Sequence, residues 1–260
     1  MKLTYNMQNS EKKPTYNEIQ KVIFRNFCEQ NLELIRKVPL PAIPKDSKYE
    51  TVYVECRDFA HNEFIIRNAI YRLGPEWSHT IVCGKNNHAS IKKFCDAISE
   101  NIKILVLNTE NMTVMQYSNL LKTEKFWNYF KGEKILIHQE DSFIYRNGIE
   151  KFLKYDYIGA PFQHPFKVGN GGFSLRTRQV MIDCIKKNDQ RFVHLVEDLF
   201  FSGTMQFNSI GLLADLEAAG EFSLESIYHQ NTFAAHDPWY GDRNWLETVK
   251  KSVNEFSLIK

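Results

Sequence analysis

Between Thr51 and His138, short runs of β-branched and apolar residues alternate with segments whose apolar residues repeat at helical spacing, and few architectures accept such a chain. Thr51-Val52-Tyr53-Val54-Glu55-Cys56 reads as a strand. Ile65, Ile66, Ala69, Ile70 and Leu73 then share one helix face until Gly74-Pro75 stops it. His79 to Cys83 is a second strand, Ile91, Phe94, Cys95 and Ile98 mark a second helix, and Ile102 to Leu107 is a third strand. An aromatic helical stretch around Phe126 to Phe130 leads into a fourth, Lys134 to His138. Strands separated by helices run parallel, so the pattern predicts an α/β fold with a mostly parallel central sheet flanked by helices. In open sheets of this kind, ligands gather beyond the carboxyl ends of the strands.

The flanks are less regular. Tyr16 to Lys37 carries Ile19, Val22, Ile23, Phe27, Leu32 and Ile35 at helical spacing, which predicts an amphipathic helix or helix pair packed on the domain as an arm. Pro39, Pro41 and Pro44 then impose an extended connector. The expected division is therefore an N-terminal helical arm and Pro-rich connector over 1–47, and an α/β domain over 48–260. In the second half, Tyr155 to Ala160 and Val168 to Leu175 read as strands around a Pro/Gly loop. Helices are expected at Arg178 to Lys186, Asp198 to Met205 and Asn244 to Phe256.

Composition narrows the function classes. A chain of 260 residues with ordinary Gly and Pro content and 43% hydrophobic residues is a folded protein with one main domain. Its 33 basic and 31 acidic residues nearly cancel, and no Lys/Arg block is dense enough to track phosphates, so nucleic acid is not an expected partner. No run approaches the roughly 18 apolar residues of a membrane span, and the polar start from Met1 to Pro14 lacks a signal-peptide core, which predicts a cytoplasmic chain. The five scattered cysteines suit buried thiols in a reducing compartment better than a disulfide framework. Asn111-Met112-Thr113 matches the glycosylation acceptor pattern, which without a secretory signal reads as chance.

Four motifs carry candidate chemistry, and each also has an ordinary structural explanation. Glu140-Asp141-Ser142 follows a buried strand and suits either a turn or a divalent cation with oxygen ligands. Val168-Gly169-Asn170-Gly171-Gly172-Phe173-Ser174-Leu175-Arg176 is a Gly-rich bulge, or a backbone that a ligand approaches closely. It is neither a Walker loop nor a dinucleotide fingerprint. Glu197-Asp198 opens an apolar helix, where acidic residues complement the helix dipole or one of them faces a ligand. Ala235-His236-Asp237-Pro238-Trp239-Tyr240 is an aromatic corner or a metal-ligating histidine beside sugar-stacking rings.

Taken together and in order, with Tyr155-Asp156-Tyr157-Ile158-Gly159-Ala160-Pro161 between the first two, these segments resemble a family of glycosyltransferase-like domains found in bacteria, fungi and large DNA viruses. The resemblance covers about Tyr49 to Tyr240. It implies a GT-A-like fold that binds a UDP- or GDP-linked sugar, and it extends distantly to inverting β-1,3-type glycosyltransferases. On that basis Asp141 matches the last carboxylate of the Asp-x-Asp metal motif and His236 the late histidine that completes a Mn²⁺ or Mg²⁺ site. Gln139 departs from the motif at its first position, and Glu140 is left to face the ribose or turn away. Asp198, or else its neighbour Glu197, is implied as the catalytic base. Gly171 and Gly172 would line the donor pocket, and Trp239 and Tyr240 would face the acceptor, a glycan or other hydroxyl compound. Glu55, Cys56 and Arg57, with Gly84, Lys85 and Asn86, fall where base, ribose and phosphate bind.

Three other classes compete. A non-catalytic nucleotide-sugar or carbohydrate-binding module is suggested by the incomplete metal motif. A nucleotidyltransferase should carry a Gly-rich phosphate loop near the N-terminus, which is not evident. A glycosidase would need two facing carboxylates, which Asp141 and Asp198 could mimic.

Overall fold

A computed structural model describes residues 13–162 and 168–259. In chain order these form α1 (Tyr16–Gln30), α2 (Leu32–Arg36), β1 (Tyr49–Glu55), α3 (Asn62–Leu73), β2 (Trp77–Cys83), α4 (His88–Ile98), β3 (Lys103–Val106), α5 (Val114–Leu121), α6 (Glu124–Trp127) and β4 (Lys134–His138). There follow β5 (Ser142–Ile144), β6 (Tyr157–Gly159), β7 (Phe173–Thr177), α7 (Arg178–Lys187), α8 (Glu197–Asn208), α9 (Leu216–Phe222), β8 (Ser223–Leu224), β9 (Ala234–His236) and α10 (Trp245–Asn254).

The main sheet has the order β3-β2-β1-β4-β7-β6. Its first four strands are parallel, and β7 runs antiparallel to both β4 and β6. β2 and β4 are buried along their whole length, because helices cover both faces, and this is why their sequences are apolar without a clean alternation. Side chains of β1 still alternate between two cores. Val52 and Val54 pack with Ile135, Trp127 and Phe201, while Tyr53 faces Phe64, Trp239 and Trp245 on the other side. Gly74, in the left-handed region at φ 81°, ends α3 where the sequence predicts the stop.

A second sheet, β5-β9-β8, positions the site. β5 starts only four residues after β4 ends, and its antiparallel register sets Ser142 opposite His236. The residues just outside that pair, Asp141 and Asp237, are thereby brought together, with the Asp237 amide donating to the Asp141 carbonyl at 3.1 Å.

The structure adds detail in three places. The strand read from Val168 begins instead at Phe173; Val168 makes only a bridge to Pro161, and the glycines between form a loop with Gly169 at φ 118°. Periodicity does not announce α5, because Val114 and Met115 point outward and break the apolar stripe; reciprocal capping of Thr113 and Gln116 starts it. The predicted N-terminal helices form as a pair, but they share a core with the α/β domain. Phe24, Cys28, Ile35, Val38 and Ile43 are buried with Tyr53, Trp239 and Trp245. All five cysteines are buried and free. No helix among the described residues is long and apolar enough to cross a membrane.

Candidate functional site

A cavity of about 370 Å³ opens beyond the carboxyl ends of β1 and β4. Glu55 and Arg57 reach it from the end of β1, and Gln139, Glu140 and Asp141 from the turn after β4. The loop before β7 contributes Gly171 and Gly172, the first turn of α8 contributes Glu197 and Asp198, and the end of β9 contributes His236. The motifs that are dispersed in sequence thus line one cavity. Lys21 of α1 and Tyr117 of α5 line it as well, and no motif pointed to either.

At its acidic end, Lys21 Nζ lies 2.7 Å from Asp141 Oδ2 and 3.4 Å from Asp237 Oδ1. His236 Nε2 is 3.2 Å from both Asp141 Oδ1 and Gln139 Oε1, and its Nδ1 is 3.4 Å from Glu225 Oε1. Burial pushes the Asp141 carboxyl up, but the His236 and Lys21 charges prevail and hold it well below the usual carboxylate range. Burial also works against charge on His236, and there the Asp141 and Asp237 carboxylates prevail and raise it well above an ordinary histidine. Asp237 is pushed up to about 7, first by burial and then by the Asp141 charge. Its backbone is left-handed, at φ 47°, a conformation Asp tolerates better than most residues.

These residues fit a divalent cation. Asp141, His236 and Asp237 each offer one ligand atom, all within 4.8 Å of one another. Asp141 Oδ1 and Asp237 Oδ1 are buried without a well-directed hydrogen bond. Two carboxylates and an imidazole suit Mn²⁺ or Mg²⁺ once the histidine gives up its proton, because a metal binds only the neutral ring. Asp237 extends the expected pair of Asp141 and His236; an Asp directly after a candidate ligand histidine was its signal in the sequence.

Glu140 points the other way, into a cationic cage. His61 Nε2 lies 3.0 Å from Glu140 Oε2, Arg25 Nε donates to the same oxygen at 3.0 Å, Arg25 Nη2 pairs with Oε1, and Arg57 Nη2 is 3.5 Å away. Burial and the Asp141 charge push this carboxyl up, yet His61 and Arg25 outweigh them and leave it lowered. Both guanidinium groups also sit over the Phe59 ring, at 4.1 Å for Arg25 and 4.8 Å for Arg57. Arg57 is further held by two bonds to Glu55, at 2.9 and 2.7 Å, so those two expected donor residues form one unit at the cavity wall.

The two members of the acidic pair on α8 differ in their contacts. Glu197 is clamped by Arg176, with Nη1 donating to Oε2 at 2.6 Å and Nη2 to Oε1 at 3.1 Å. This corrects its candidacy as a base: both oxygens already accept from a buried cation. Asp198 accepts only from the Leu199 amide, at Oδ1 and 2.7 Å, among the bonds found for its carboxylate. Burial, and then the Glu197 charge, push its carboxyl up to about 7.

Gly171 and Gly172 line the cavity, for a reason the sequence did not reveal. A Cβ at Gly172 would lie 2.3 Å from His236 Nε2, and one at Gly171 would lie 2.0 Å from Glu197 Oε1. The glycines make room for protein side chains. Trp239 is a second correction: it is 2% exposed and packs against Phe24 and Trp245, so its ring has no free face for a sugar. Tyr240 is 52% exposed, with its amide on the Asp237 carbonyl and its hydroxyl accepting from Asn17 at 2.8 Å. Asn86 is exposed and outside the cavity lining; its neighbour Asn87 is the buried one, bonding the backbone of Gly84, Glu55 and Arg57.

Fold and site together define an α/β protein with a charged ligand cavity at the carboxyl edge of its parallel strands. Residues 101–238 match the model of the family described as "Protein of unknown function (DUF5672)", and the chain belongs to that family. No curated protein matches the sequence. Among solved structures, the chain is similar to the apo-form glycosyltransferase GlyE of Streptococcus pneumoniae TIGR4 at 10% identity and a TM-score of 0.47, over 81% of this chain. The chain spans 63% of that glycosyltransferase's length. It is also similar to 4-diphosphocytidyl-2C-methyl-D-erythritolsynthase from Anaerococcus prevotii DSM 20548, at 10% identity and a TM-score of 0.45, over 68% of this chain and 86% of that one.

Proposed function

We propose that this protein is a GT-A-like glycosyltransferase that moves a sugar from a UDP- or GDP-linked donor to a hydroxyl acceptor with inversion. The observation that carries the reading is Asp198: a buried carboxylate, pushed up to about 7, in the same cavity as Asp141, His236 and Arg57, beside a Glu197 that Arg176 clamps. A general base works best with a pKa near the operating pH and needs hydrogen-bond reach, about 3 Å, to the acceptor oxygen.

In the proposed step the acceptor hydroxyl gives its proton to Asp198, whose Oδ1 is fixed by the Leu199 amide. The acceptor oxygen bonds to the anomeric carbon as the bond from that carbon to the diphosphate breaks, and the electron pair leaves with the diphosphate. Arg57, pre-oriented by Glu55, offers charge to that leaving group. A divalent cation on Asp141, His236 and Asp237 would supply further charge stabilisation there. The exposed Tyr240 ring is the remaining candidate for acceptor contact.

Gln139 in place of a first carboxylate keeps one rival in view, a binding module without chemistry. A panel of UDP- and GDP-sugars screened by thermal shift with and without Mn²⁺, followed by donor hydrolysis, separates the two. The transferase reading expects at least one donor both to stabilise the protein and to be hydrolysed. Binding without turnover of any donor would select the module.

A further inference from the structure

We propose that Lys21 is the resident cation of this site: its ammonium and a divalent ion compete for the same Asp141 and Asp237 oxygens, so helix α1 sets how tightly the site holds metal. The inference deepens the reading above and rests on its cation arm. Lys21 Nζ bridges Asp141 Oδ2 and Asp237 Oδ1 at 2.7 and 3.4 Å, and these two residues belong to the Asp-His-Asp trio. Like charges a few ångströms apart repel strongly in a partly dry cavity, so the ammonium and a divalent ion cannot both sit on these carboxylates.

The helix itself is not free to withdraw. Phe24, one turn along, is fully buried against Trp239 and Trp245. Gln20 accepts from Trp245 Nε1 at 2.9 Å, and Arg25 is locked to Glu140. What can move is the four-carbon stem of Lys21, whose side chain is 32% exposed. When metal enters, the ammonium is therefore released at the cavity lining while the backbone stays docked, and it becomes available to an anionic ligand. Lys21 lies outside the family-matched segment, 101–238, that supplies Asp141, His236 and Asp237. An element beyond that segment thus tunes the trio.

The test measures Mn²⁺ binding to the full chain without nucleotide, by the electron paramagnetic resonance signal of free Mn²⁺, for wild type, Lys21→Met and Lys21→Arg. Lys21→Met should bind Mn²⁺ at least about tenfold more tightly than wild type, while Lys21→Arg stays weak. The gain should persist in about 0.5 M KCl, where long-range charge effects are screened within a few ångströms but contact competition is not. If Lys21→Met does not fold, as judged by circular dichroism, Lys21→Gln replaces it with the same expectation. An affinity within about threefold of wild type, a gain that vanishes at that salt concentration, or no Mn²⁺ binding by any variant overturns the proposal. Donor hydrolysis is scored separately, so failure of the competition leaves the transferase reading standing, and absence of turnover leaves the Mn²⁺ result valid.

Discussion

Arg176 holds both carboxylate oxygens of Glu197, at 2.6 and 3.1 Å, where the guanidinium is fully buried and the carboxylate nearly so. Breaking a buried pair from one side leaves the other charge without compensation. Glu197→Gln should therefore lose about 3–5 kcal/mol of stability in urea denaturation. Asp198→Asn, next to it in sequence, should lose none at neutral pH. A Glu197→Gln protein as stable as wild type would contradict the structural role given to this residue.

Gly172 presses against the His236 ring, so closely that a Cβ there would fall 2.3 Å from Nε2. Gly172→Ala must displace the imidazole, and overpacking of this kind costs about 1–3 kcal/mol. Thermal denaturation should show that loss, and the His236 ring resonances should shift. An unchanged melting temperature with unchanged resonances would mean the contact is slack.

Phe24 on α1 is fully buried and lies 5.9 Å from both Trp239 and Trp245, centroid to centroid. Phe24→Ala should cost about 3–5 kcal/mol. Tryptophan emission should change with it, because the void left by the ring forms beside two indoles. A loss below about 1 kcal/mol would mark the N-terminal helices as a loosely attached arm.

How much of this is legible in the sequence follows from the range of the interactions. The strands β1 to β4 and the helices α3 and α4 announce themselves through local periodicity, and β4 spans Lys134–His138 as that pattern predicts. Strands β5, β8 and β9 have three, two and three residues, too short for any period to register. The grouping of Asp141, Gly171, Gly172, Asp198 and His236 is visible as ordered motifs. Lys21, Arg25 and His61 are not, because they reach the acidic turn only through tertiary packing. Trp239 misleads for the complementary reason: an aromatic loop residue reads the same whether its ring faces a ligand or, as here, Phe24 and Trp245.

Stability should depend on pH through Asp198 and Asp237, both pushed up to about 7 from an ordinary value of 3.8. Between those values the folded protein keeps protons on these two carboxyls that the unfolded chain has released, so their contribution to stability falls as pH rises from about 4 to about 7. Buried His79 and His138, both lowered to about 3, contribute in the opposite sense over much of that range, and the raised His236 continues the decline above it. Asp198→Asn removes its share of that decline, leaving the part due to Asp237. Urea denaturation at pH 5 and pH 8 should show the variant gaining stability relative to wild type at the higher pH. An identical pH dependence in both would mean that Asp198 titrates in the ordinary carboxylate range.

The central claim, that Asp198 takes the acceptor proton, is tested most directly by comparing donor affinity and transfer rate in Asp198→Asn, using the donor that the screen identifies. A base matters to the chemical step and little to ground-state binding. The account predicts donor binding close to wild type and a transfer rate lower by about 10²- to 10⁴-fold. Normal transfer by Asp198→Asn would contradict it.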